Sequence, residues 1–180
     1  SFFDNGIISN ITYIVNAGFV SPDHWVFEAE EGRSRIVGEM CHFFDFFQYI
    51  TGSLISDVSA ETINTNDGIY PIKDNLTVIC KMDNGAVCNL SYYSSGNRAM
   101  SRENVYIFGN GRSAFIENFS KTQFFGPEKL TTYKTIGQQI GYSEEIDYFI
   151  SRSFPPQIQL SEIFNSAEVC FSVEDLIAGI

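Results

Sequence analysis

A chain of 180 residues with 22 acidic against 11 basic side chains, a formal charge of -11, lacks the clustered Lys and Arg that displace counterions from nucleic acid, and an anionic membrane surface repels it for the same reason. With 44% hydrophobic, 15% aromatic and 18% charged residues it has the composition of one domain with a sizeable core, not of a disordered segment. No apolar run is long enough to span a bilayer and no secretory leader is read in the sequence, so a cytoplasmic setting is expected.

The opening SFFDNGIISN places Phe2 and Phe3 before Asn5-Gly6, which reads as the last turn of a helix entering from something longer. Ile11 to Val20 reads as a strand, rich in β-branched and aromatic residues and broken by Gly18. Ser21 to Ser34 is then a loop holding His24 and the single tryptophan, Trp25, placed to line a pocket or to plug the edge of the core. Arg35 to Gly52, RIVGEMCHFFDFFQYITG, reads as one amphipathic helix beginning near Val37 and closed by Gly52. Met40, Phe44, Phe47 and Thr51 recur at core-facing spacing. Glu39, His42 and Asp45 form a polar stripe in which a carboxylate stands three residues to either side of the imidazole. Such a histidine has a fixed tautomer and suits general acid or base chemistry; the alternative is a histidine bonded within a helix-sheet contact.

Short strands follow: Leu54 to Ile63, Leu76 to Met82 and Ala86 to Tyr93, the last two joined across Asn84-Gly85. A two-residue turn there pairs Lys81 with Cys88 and Cys80 with Asn89, pointing Cys80 and Cys88 to opposite faces. All four cysteines, Cys41, Cys80, Cys88 and Cys170, are expected as free thiols, with neither a CxxC pair nor histidines enough for a zinc site. A second hairpin spans Asn104 to Asn118 about Asn110-Gly111, followed by strands near Gln123 and from Leu130 to Thr135. Gly109, Gly111 and Ala114 fit a G-x-G-x-x-A pattern, but FIENF continues as strand where a dinucleotide fingerprint needs a helix, so the glycines belong to the turn. Helices are expected from Ser143 to Ser153 and, after Pro155-Pro156, from Ser161 to about Ala178. The expected fold is therefore α+β, an open and predominantly antiparallel mixed sheet with helices on one face. Its other face, bearing Phe108 and Phe115, is expected to join copies of the chain in a homo-oligomer.

ITYIVNAGFVSPDHW, the RIVGEMCHFFDFFQYITG helix and the closing PPQIQLSEIF together resemble the C-terminal domain of the glucose-fructose oxidoreductase and inositol dehydrogenase family, Gfo/Idh/MocA. The helix is most similar to members reading GGGRIIGE-x-CHFIDL, with Gly32-Arg33-Ser34 in place of the GGG run. The resemblance implies a dihydrodipicolinate-reductase-like C-terminal domain over residues 11–180, with residues 1–10 ending a helix that links it to a Rossmann domain. It implies NAD or NADP bound mainly by that other domain, and a sugar, nucleotide sugar or cyclitol oxidised or reduced by hydride transfer. His42 takes the position of the residue that exchanges the hydroxyl proton, and Asp45 that of the acidic residue that orients it or touches substrate. Gly38 stands at the place of an aspartate that other members carry, with Glu39 beside it as the candidate replacement. Asn16, His24, Trp25 and Arg35 are the expected substrate contacts, Arg35 by clamping an anionic group. The family's catalytic lysine belongs to the Rossmann domain, so these residues alone are expected to be inactive. A non-catalytic ligand-binding or assembly module is the alternative, and a metal hydrolase on His24, His42 and Glu39 ranks below both because no H-x-x-x-H spacing supports it.

Overall fold

A computed structural model describes residues 9–28, 34–63, 70, 72–127, 130–139, 141–151 and 158–179. The expectations for the opening helix turn, Gly32-Arg33 and Pro155-Pro156 fall outside these residues. Eight strands form one sheet: β1 (Asn10–Asn16), β2 (Ile55–Thr62), β3 (Asn75–Met82), β4 (Val87–Tyr93), β5 (Glu103–Gly109), β6 (Arg112–Glu117), β7 (Lys121–Phe125) and β8 (Thr131–Lys134). Their order across the sheet is β2-β3-β4-β1-β5-β6-β7-β8. β1 runs parallel to β4, and every other neighbouring pair is antiparallel. This is the expected open mixed sheet of an α+β domain.

The helix after β1 starts with a π turn, Ile36–Met40, and continues as α1 (Cys41–Thr51), closed by Gly52 in the left-handed region at φ 63°. α2 spans Tyr142–Ser151 and α3 spans Leu160–Ala178. Met40, Phe44 and Phe47 are fully buried and pack on the sheet face made by Ile11, Val15, Val78 and Leu90. Burying each such phenylalanine contributes about 2 to 3 kcal/mol. Tyr13 sits edge-on among Phe43, Phe46 and Phe47, with ring centroids 4.9, 5.3 and 6.4 Å away.

α3 is fixed at both sides by buried amides. Gln48 Nε2 of α1 donates to Ser166 Oγ at 2.6 Å and to the Glu162 carbonyl at 3.1 Å. Asn165 bridges to the edge strand β2, accepting from the Ile55 amide and donating to its carbonyl, each at 3.0 Å. α2 buries no residue, so α1 and α3 cover the sheet face between them. The opposite face leaves Ile79, Val87 and Phe108 exposed, with Tyr106 and Phe115 stacked on one another at 4.8 Å. Among the described residues no helix is long and apolar enough to cross a membrane.

Two local expectations are corrected. β1 ends at Asn16 rather than Val20, because Gly18 at φ 73° turns the chain away and Asn16 gives its Nδ2 to the carbonyls of Asn97 and Met100. The β3-β4 hairpin pairs Cys80 with Cys88 and Lys81 with Val87, so both cysteines lie on one face, buried, and remain free thiols. The cause is a three-residue loop: the Gly85 amide closes a turn on the Met82 carbonyl at 2.9 Å, and Gly85 itself takes φ 88°. One added loop residue shifts the register by one. The second hairpin, by contrast, turns at Asn110 and Gly111 with φ 48° and 71°, the conformation expected for a two-residue turn.

Candidate active site

The helix start distributes the candidate residues between two cavities. A π turn carries more residues per revolution than an α turn, so side chains three apart across its end no longer share a stripe. Accordingly His42 and Asp45 open on one flank and Glu39 on another.

The first cavity, ≈ 350 Å³, lies between α1 and α3. Val37, Cys41, His42 and Asp45 form one wall and Ile163, Cys170 and Phe171 much of the other. The side chain of His42 is exposed and hydrogen-bonds to nothing among the described residues. Burial pushes the carboxyl of Asp45 up, Glu162 adds to the shift, and His42 opposes it. Burial also pushes the thiol of Cys41 up, and that of Cys170 up to about 12, so both remain neutral thiols in the apolar wall. An exposed imidazole lining a largely apolar cavity, with a carboxyl group one turn on, has what proton exchange with a hydroxyl requires.

Glu39 belongs to a half-buried ionic cluster. Its Oε2 accepts from Arg35 Nε at 3.2 Å, Arg35 Nη2 at 3.1 Å and the Tyr92 hydroxyl at 2.6 Å, and its Oε1 accepts from Arg102. Arg35 Nη1 donates to the Gly18 carbonyl at 3.0 Å and stands 3.7 Å from Asp74, with its guanidinium 5.0 Å from the centre of the Tyr92 ring. Burial raises the Tyr92 hydroxyl, helped by the Glu39 charge, and pushes Asp74 up to about 6 against the pull of Arg35. Arg35 is 5% exposed and its fork is closed on Glu39.

Asn16 and Arg35 meet at a second cavity, ≈ 680 Å³, with Arg98, Arg102 and Asn118. No motif singles out Arg98 or Arg102 in the sequence; the signal available was two arginines within SGNRAMSR of a chain so acidic. His24 and Trp25 line neither cavity. His24 Nδ1 accepts from the Val26 amide at 3.3 Å and caps the short 3-10 turn Trp25–Phe27, leaving the indole of Trp25 56% exposed. Among the described residues no three His, Cys, Asp or Glu side chains converge as metal ligands.

The G-x-G-x-x-A pattern is no dinucleotide fingerprint. Gly109, Gly111 and Ala114 close and follow a β-hairpin turn, with strand on both sides, and so present no helix N-terminus to a pyrophosphate.

An open, eight-stranded mixed sheet covered on one face by helices is the α+β architecture of oxidoreductase C-terminal domains. The sequence profile of the GFO/IDH/MocA C-terminal domain matches residues 4–114, and the chain belongs to that family. Solved structures share the fold. UDP-N-acetylglucosamine 3-dehydrogenase GnnA from Acidithiobacillus ferrooxidans superposes with a TM-score of 0.72 at 18% identity, over 94% of this chain and 53% of its own. Levoglucosan dehydrogenase in complex with NADH and levoglucosan gives 0.71 at 17% identity, over 96% and 57%. The super-repressor mutant of Gal80p from Saccharomyces cerevisiae gives 0.65 at 17% identity, over 96% and 55%. The chain thus spans little more than half the length of the structures it matches. A search of curated proteins returned no match.

Proposed function

We propose that this chain is the substrate-binding and oligomerisation half of a cytoplasmic NAD(P)-dependent oxidoreductase acting on a hydroxyl or ketone of a sugar, nucleotide sugar or cyclitol. The observation that carries the reading is the exposed imidazole of His42, unpartnered among the described residues, at the α1-α3 cavity beside Asp45. Family membership and a fold shared with two sugar dehydrogenases, one of them bound to NADH, support it. The dinucleotide, held by a domain other than this one, supplies the hydride acceptor or donor. His42 takes the hydroxyl proton during oxidation and returns it during reduction, and the Asp45 carboxylate favours the imidazolium that forms in between. Glu39 serves the same group as a positioning residue, since its bonds to Arg35, Arg102 and Tyr92 fix the turn from which α1 and His42 start. Asn16 and Arg35, which line the second cavity, are the substrate-side residues, and the open sheet face pairs with a second copy of the chain.

The test is turnover of a panel of nucleotide sugars and cyclitols by the whole protein, followed through nicotinamide absorbance and repeated with His42→Ala. Loss of a general base corresponds to a fall of about 10²- to 10⁴-fold in kcat. Turnover unchanged in His42→Ala would remove that residue from the chemistry.

A non-catalytic ligand-binding or assembly module is the second reading, favoured by the fold shared with a mutant of the repressor Gal80p and by Gly38 at the aspartate position. Binding of a panel sugar without turnover of any would decide for it.

A further inference from the structure

Three of the chain's 11 basic side chains, Arg35, Arg98 and Arg102, line the ≈ 680 Å³ cavity at the carboxyl end of β1; among the described residues no carboxylate lines it with them, while Glu39 pairs with Arg35 and Arg102, and Glu103 with Arg102. In a chain of net charge -11 such a convergence needs a reason. Arg35 does not supply free donors, because Glu39 occupies its Nε and Nη2 and the Gly18 carbonyl its Nη1. The other two do. Arg98 donates through Nη2 to the Phe19 carbonyl at 2.9 Å, and Arg102 meets Glu39 through Nη2 and Glu103 through Nε at 3.6 Å. Nη1 of each is left unpartnered among the described residues.

Asn118 lines the same cavity in the left-handed region, at φ 49°. The loop that carries Arg98 is held in place by Asn16, whose Nδ2 donates to Asn97 and Met100 carbonyls at 2.8 and 3.3 Å.

We propose that this cavity binds the anionic group of a sugar-type substrate, a carboxylate or a phosphoryl group, with Arg98 and Arg102 donating to its oxygens. The inference rests on the sugar-oxidoreductase reading and sharpens it to acidic or phosphorylated sugars. Arg35 then acts from behind, as a fixed charge that orders the cavity wall, rather than as the clamp.

Calorimetric titration of the whole protein with glucose, glucuronate, glucose 6-phosphate and inorganic phosphate tests it. At least one of the two anionic sugars binds about tenfold or more tightly than glucose, and the tighter of the pair identifies the group. Arg98→Gln, at an exposed side chain that holds one carbonyl, lowers that affinity by about tenfold and leaves glucose unchanged. Equal affinities for glucose and both anionic sugars, or anion binding untouched by Arg98→Gln, would overturn the proposal while leaving the sugar reading in place. Phosphate binding abolished by Arg98→Gln, with no sugar bound at all, would uphold the anion site and remove the sugar reading instead.

Discussion

Asp74 is fully buried, neither of its carboxylate oxygens accepts a hydrogen bond, and its nearest cation, Arg35 Nη1, stands 3.7 Å away. Desolvation outweighs that attraction, and the carboxyl is pushed from 3.8 up to about 6. The folded state therefore holds this proton to higher pH than the unfolded chain does. Between about pH 4 and 6 the native state binds more protons, so stability falls as pH rises through that window. A shift of this size corresponds to about 3 kcal/mol, fully expressed above the window. Asp74→Asn keeps the shape and removes the titration. Urea unfolding at successive pH values is expected to show a falling limb that is steeper in the parent than in the variant, with the variant the more stable at pH 7. At this scale the placement of His42 and Asp45 on one flank of the helix was legible, because both lie where an ordinary α-helical period holds. The partners of Glu39 were not: spacing alone carries no mark of a π turn, and Arg102 and Tyr92 are brought to it from distant strands.

Among the elements, the segment between β4 and β5 depends most sharply on one residue. A Cβ on Gly96 would lie 2.1 Å from Asn16 Oδ1, so a side chain there must displace the amide that holds the Asn97 and Met100 carbonyls. Gly96→Ala is expected to lower stability by about 1 to 3 kcal/mol and to weaken any ligand that relies on Arg98, measured by thermal melting and by the titrations above. A melting temperature equal to the parent's would mean that the loop has room to move. The helix and strand pattern was largely readable: Gly52 closes the central helix and Asn110-Gly111 turns the second hairpin as composition implies. Where the first hairpin departs, its Asn-Gly pair is satisfied equally well by a two- or a three-residue loop, and the cross-strand packing of Cys80 on Cys88 selects the longer. α3 likewise begins one residue early, because Gln159 supplies a capping box with Glu162.

For the whole molecule, the sheet face opposite α1 and α3 leaves Ile79 44% and Phe108 48% exposed around the stacked pair Tyr106 and Phe115. A face of this kind in the middle of a sheet is expected to be buried by a second copy, so light scattering at micromolar concentration gives at least a dimer and Phe108→Glu gives monomer. A parent that is already monomeric would leave that face without the assigned role. Alternating and doubly apolar strands made the open sheet and its two faces legible from sequence; which partner each cavity serves was not, since β1, β5 and the loops after β1 and β4 meet only in three dimensions. The central claim is a division of labour, in which these residues recognise the sugar and a separate domain holds the dinucleotide. Calorimetry of this 180-residue chain with NADH, NADPH and the panel sugars tests it most directly. The account predicts measurable sugar binding with no dinucleotide binding at micromolar affinity, whereas micromolar NADH or NADPH binding to this chain alone would contradict it.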